Sequence, residues 1–261
     1  MDLFKILGIS AGVGLIGYLG YLANLQQGIQ IFYSLLISVK TWWVFKVPAK
    51  KVLQQIADNK TEVHIFVRDF FIQPNAPLFV QEGLNGPVGM VPNVHELWPR
   101  VEGIGLAKIL NALGQIEKVE NIKITEMGKD PGIWDKNLII LGAQTQKCFD
   151  FYSKMGEVAY KVTAQDIIKQ STGTIIKRDP KYGYGIILKC KNPFVPGNKG
   201  IGMLIGGYGV LGTEAATHYF SQHLAELGKD FGNKSFGIVV KALVSAGVQS
   251  TERIKKYDIK F

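Results

Sequence analysis

Apolar and polar positions along this chain follow two periods, and the changes of period predict its elements. Glu62–Arg68 is β-branched and bounded by Asn59-Lys60, the pattern of a first strand. Val101–Leu113 has helical spacing, with Ile104, Ala107, Leu110 and either Ala112 or Leu113 inward, and Gly114 ends it. Glu120–Thr125 predicts a second strand. Asn137–Leu141 carries no charge, as a central strand requires, and a helix over Gln146–Met155 follows. Val158–Val162, Gly173–Ile176 and Gly185–Cys190 are short strand candidates separated by polar turns, an antiparallel excursion. Ile201–Ile205 predicts a buried strand, Glu214–Leu227 a helix, and Phe236–Val244 a further buried strand. Gln249–Phe261 is charged and alternates weakly, which fits an edge strand or disorder. The alternation of strands and helices predicts an α/β fold: an open, mostly parallel sheet with helices on both faces and a small antiparallel excursion.

Ahead of that domain the pattern changes. From Ile6 to Ala23 there is no charge, and glycine recurs at 8, 12, 14, 17 and 20. A bilayer needs about 20 apolar residues in a row, so residues 1–27 predict a transmembrane helix. A cleaved signal peptide and a buried glycine-rich helix are the alternatives. Residues 28–58 read as a juxtamembrane segment, or as a second marginal span, with Trp42 and Trp43 at headgroup depth. Lys40, Lys46, Lys50 and Lys51 follow it, so the positive-inside rule places residues 59–261 in the cytoplasm. The expected location is the inner or plasma membrane, with the bulk of the chain cytoplasmic and membrane lipids as partners.

Charge refines the choice of partner. The chain has 30 Lys and Arg against 21 Asp and Glu, a net charge of +9 over 261 residues. That excess favours an anionic partner. The lysines are spread along the chain, which argues against nucleic acid and for lipid or a small phosphorylated ligand. The two cysteines, Cys148 and Cys190, form no CxxC or Cys/His cluster, so no structural metal is expected.

Candidate chemistry lies where open α/β sheets bind ligands, beyond the carboxyl ends of the strands. Those positions are Arg68 and Asp69 after the first strand and Gly142, Gln144 and Thr145 after the third. Gly206, Gly207, Tyr208, Gly209, Gly212 and Thr213 follow the glycine-rich one. Strand, glycine loop and helix start, in that order, bring backbone N–H groups close to an anion. Gly207–Gly212 matches GxGxxG, but no acidic residue ends the next strand, where Ser245-Ala246-Gly247 follows. Dinucleotide binding in the usual dehydrogenase manner is therefore not expected. The competing reading is a tight turn that needs glycine for helix–sheet packing. Glu214, beside Thr213, is the candidate acid/base; a carboxylate in a first helical turn is more often there for the helix dipole. Glu102 sits similarly at the start of the first helix. The sequence specifies no cofactor.

Trp134-Asp135-Lys136-Asn137-Leu138-Ile139-Ile140-Leu141-Gly142, then Tyr184-Gly185-Ile186-Ile187, Asn192-Pro193-Phe194, and Gly206–Gly209 with Gly212-Thr213, carry a resemblance. Over roughly 120–225 the chain resembles an uncharacterised group of prokaryotic Rossmann-like α/β domains, which implies a fold and no named activity. It departs from that pattern at Ala143-Gln144-Thr145-Gln146.

Together these patterns lead to a membrane-anchored cytoplasmic domain that senses or binds a nucleotide or another anionic small molecule. Two alternatives stand beside it. One is a hydrolase or transferase acting on a nucleotide or N-glycoside, with Glu214 as acid/base. The other is a membrane effector that homo-oligomerises through its N-terminal helix and catalyses nothing.

Overall fold

The structure, a computed structural model, describes residues 34, 37–40, 42–57, 62–67, 70–71, 78–81, 88–91, 96–97, 100–116, 121–126, 136–143, 145–156, 160–163, 166–195, 197 and 200–261. Strand β1 is Val63–Val67, helix α2 Arg100–Ile116, β2 Ile122–Glu126, β3 Asn137–Leu141 and α3 Gln146–Met155, after a first helix α1 at Val47–Leu53. Then come β4 (Tyr160–Val162), β5 (Asp166–Lys169), β6 (Thr174–Lys177), β7 (Tyr182–Lys191), β8 (Ile201–Gly207), α4 (Gly209–Phe231) and β9 (Phe236–Leu243). Two short strands, β10 (Glu252–Arg253) and β11 (Ile259–Lys260), end the chain. Within the long connection from β1 to α2, Phe70–Phe71 pairs with Glu96–Leu97 and Leu78–Gln81 with Val88–Val91.

The main sheet runs β10-β9-β7-β8-β3-β1-β2, with β11 also on β9. It is mixed: β1–β2, β1–β3 and β8–β3 are parallel, whereas β7–β8, β7–β9, β9–β10 and β9–β11 are antiparallel. This corrects the expectation of a mostly parallel sheet. The cause is β7, expected to lie in the antiparallel excursion, which instead enters the sheet between β8 and β9. Only residues 192–200 join it to β8. A parallel crossover needs about a dozen residues or more, so this link closes antiparallel neighbours. The excursion itself is the three-stranded layer β4–β6.

Helices cover both faces, as expected. On one face α1, α2 and α4 bury Ala49, Val52, Leu53, Ile109, Leu113, Phe220 and Leu224 against Ile65, Ile139, Met203 and Ile238. On the other, α3 and the β4–β6 layer bury Phe151, Tyr152, Tyr160 and Ile167 against Phe66, Ile140 and Leu204.

The membrane expectation is also corrected. Among the described residues no helix is long and apolar enough to cross a membrane. Residues 1–33, which carry the expected N-terminal transmembrane helix, lie outside the described residues. Of residues 28–58, the apolar run 29–39 suggested as a second span is described only at 34 and 37–39; helix α1, which follows it, has seven residues, about 10 Å of helix against a hydrocarbon core of about 30 Å. Its apolar side meets α4 rather than lipid, and its helix stops at Gln54, whose φ is 47°.

Candidate functional site

The connections fix where a ligand fits. From β1 the chain crosses through α2 to β2 at the sheet edge, then returns to place β3 on the other side of β1. Of the later strands, β8 lies on the other side of β3 from β1, with β7, β9 and β10 beyond it. The crevice at such a reversal, beyond the carboxyl ends, is the binding position in open α/β sheets. A cavity of about 180 Å³ lies there. Its described lining comes from three helix starts: Val101 and Glu102 of α2; Gly142, Ala143 and Thr145 between β3 and α3; and Gly207, Gly209, Val210 and Thr213 between β8 and α4.

Each wall is held from below. Gly142 N–H donates to the Ile205 carbonyl at 3.0 Å, locking the end of β3 to β8. The buried Tyr152 hydroxyl donates to the Ala143 carbonyl at 3.0 Å, and burial holds its phenol well above the usual value, so it stays a donor. Thr145 caps α3, its hydroxyl accepting from Cys148 N–H. Gly207 N–H donates to the Thr213 hydroxyl at 3.2 Å, which leaves that hydroxyl its own proton to offer.

The start of α4 differs. Helix α4 begins at Gly209, with Tyr208 as N-cap and no side-chain cap. A helix start presents N–H groups without intrahelical partners and the positive end of the dipole. Gly209 has φ 64°, and a Cβ built on it meets nothing within 4 Å, so the backbone here faces open space. The other glycines of the turn serve packing. A Cβ would fall 2.1 Å from the Gly142 carbonyl oxygen at Gly206, and 2.4 and 2.2 Å from the Tyr184 carbonyl oxygen at Gly207 and Gly212. Close backbone approach thus explains three of the four, and the one that faces open space is Gly209.

Glu102 contributes the cavity's carboxylate. It is 1 % exposed, in the first turn of α2, where the dipole favours its charge. Its Oε1 lies 3.1 Å from where a Cβ on Gly142 would stand, and Gly142 has φ 98°. A side chain there would press on the carboxylate.

Of the residues expected from sequence, the structure brings Gly142, Thr145, Gly207, Gly209 and Thr213 together around this cavity. Gly206, Tyr208, Gly212 and Glu214 stand beside it without lining it. Arg68, Asp69 and Gln144 lie outside the described residues. Val101, Ala143, Val210 and Glu102 complete the wall. Glu102 was legible only as a first-turn acid, because the fold of α2 over β3 is what turns it inward. Both cysteines are buried. Burial pushes the Cys190 thiol up to about 12, which makes it inert near neutral pH. Among the described residues no group of three or more His, Cys, Asp or Glu side chains is placed to hold a metal.

No protein-family model matches the chain, and no curated protein matches it either. The functional reading therefore rests on the geometry of this cavity.

Proposed function

We propose that the cavity binds a nucleotide. The observation that carries this is the meeting of an uncapped helix start, at Gly209-Val210, with a buried carboxylate, Glu102, in one cavity at the chain reversal of the sheet. The two groups prefer opposite parts of one ligand. The α4 N-terminus suits a phosphate. The Glu102 carboxylate suits the vicinal hydroxyls of a ribose, which donate to it. Thr145 and Thr213 supply hydroxyls between them. A simple anion such as sulfate satisfies only the first half and is repelled by the second, so the site selects a ligand bearing both charge and hydroxyls.

Calorimetric titration of the full chain with nucleoside phosphates tests this. Glu102→Gln keeps the shape and removes the charge. It is expected to weaken binding by about tenfold or more, the scale of a hydrogen bond to a charged group. Binding unchanged in that variant, or absent in the wild type, contradicts the proposal.

The burial of Glu102 also favours a second reading, cleavage of the ligand's N-glycosidic bond. A buried carboxylate beside the ribose is placed to stabilise an oxocarbenium-like state. In this reading Glu102 takes the role that the sequence suggested for Glu214. Release of free base from a nucleotide over hours, lost in Glu102→Gln, separates cleavage from binding alone.

A further inference from the structure

The lining residues of the cavity differ in depth. Glu102 is 1 % exposed and Thr213 5 %, whereas Val210, in the first turn of α4, is 63 % exposed. The carboxylate therefore lies at the floor and the α4 start at the mouth. Thr213 stands in the wall between them. Its hydroxyl accepts from Gly207 N–H at 3.2 Å, and among the described residues its own proton meets no acceptor. A buried donor in that state is left for whatever fills the cavity.

Size decides how much of a ligand goes in. An apolar cavity of about 150 Å³ takes up one benzene, so about 180 Å³ encloses a sugar ring and its hydroxyls rather than a whole nucleotide. The shape of a ribonucleotide decides which end enters. Its 2′- and 3′-hydroxyls share one edge of the ribose. The carbons that carry the base and the 5′-phosphate flank the ring oxygen on the opposite edge. With the hydroxyl edge on Glu102 at the floor, base and phosphate both point to the mouth. There the phosphate meets the N–H groups of the α4 start, and the base is outside. Reading a base takes polar groups placed at its edge or a ring to stack on it. The described lining has neither an amide side chain nor an aromatic ring.

Resting on the nucleotide-binding reading above, we infer that the site recognises the ribose 5′-phosphate unit, entered hydroxyl edge first, and leaves the base unread. The ligand class is then 5′-ribonucleotides irrespective of base, with 2′-deoxyribonucleotides disfavoured. Thr213 is a further binding residue, donating to an ester or phosphate oxygen.

Calorimetric titration of the full chain with AMP, GMP, CMP, UMP, 2′-deoxy-AMP and ribose 5-phosphate tests the inference. The four ribonucleotides are expected to bind within about fivefold of one another, and ribose 5-phosphate within about tenfold of AMP. The deoxynucleotide is expected to bind about tenfold more weakly than AMP, the scale of a hydrogen bond to a charged group. Glu102→Gln brings AMP and 2′-deoxy-AMP close together by weakening AMP. A wider spread among the four bases, a larger loss with ribose 5-phosphate, equal affinities for AMP and 2′-deoxy-AMP, or a difference between those two that persists in Glu102→Gln each overturn the inference and leave nucleotide binding standing. No binding of any of the four ribonucleotides by the wild type overturns both.

Discussion

At the scale of single residues, the chain tolerates buried polar groups where each has a local reason. His64, 4 % exposed in β1, shares its ring nitrogens between the Thr125 hydroxyl at 3.1 Å and the Glu62 carboxylate at 3.4 Å. Burial outweighs the carboxylate and holds its imidazole below the usual histidine value. The folded protein then binds fewer protons than the unfolded chain, so this contribution is complete above the unfolded value and is lost as pH falls through the lower folded one. Stability is expected to drop as pH falls from about 7 to about 5, read as the urea midpoint. His218 shifts in the same direction through burial, so His64→Gln removes part of the slope rather than all of it. A slope unchanged in that variant assigns the effect elsewhere. Lys189 is the opposite case of cost without function. It is 2 % exposed on β7, its ammonium reaching the Lys234 carbonyl at 3.4 Å, and burial lowers it to about 8. Lys189→Met keeps the stem and removes the charge. It is expected to raise stability by about 2 kcal/mol near neutral pH, as measured by denaturant unfolding.

At the scale of elements, glycine sets how closely α4 lies on its neighbours. A Cβ at Gly212 would stand 2.2 Å from the Tyr184 carbonyl oxygen, and one at Gly228 would stand 1.9 Å from that of Pro48 in α1. Backbone cannot yield as a side chain does. Gly212→Ala and Gly228→Ala are each expected to cost about 3 kcal/mol. Gly209→Ala, with open space but φ 64°, is expected to cost about 1–2 kcal/mol. The order of the three midpoints in one denaturant series checks this; Gly209→Ala as the worst of them contradicts the packing account. The same contrast shows what the sequence made legible. The apolar runs placed β1, β3, β8 and β9 to within a residue or two, because burial on both faces leaves an uninterrupted signature. The helix expected from Glu214 begins instead at Gly209, since glycines read as loop residues when nothing local shows the strand they lie against. The short strand β5, Asp-Ile-Ile-Lys, was not foreseen, because two apolar residues between charges carry no period. The direction of β7 was equally hidden: its sequence says buried strand, and only the short link to β8 says antiparallel.

At the scale of the whole molecule, the sheet reverses its build direction beside β3, and three helix starts converge where it does. The sequence located the carboxyl ends that supply Gly142, Thr145, Gly207, Gly209 and Thr213, since a strand followed by glycine marks such an edge directly. It did not select Glu102, which reaches the cavity only through the long return from β1 to α2. The net charge of +9 suits an anionic ligand at this edge without naming one. The central claim is that the α4 start and the β3–α3 turn hold one nucleotide together. Hydrogen–deuterium exchange of the full chain, with and without saturating ADP, tests it most directly. Slowed exchange confined to amides 207–213 and 142–148, requiring about tenfold more ADP in Glu102→Gln, is the predicted result. Exchange unchanged in both segments, or protection only elsewhere in the sheet, would contradict it.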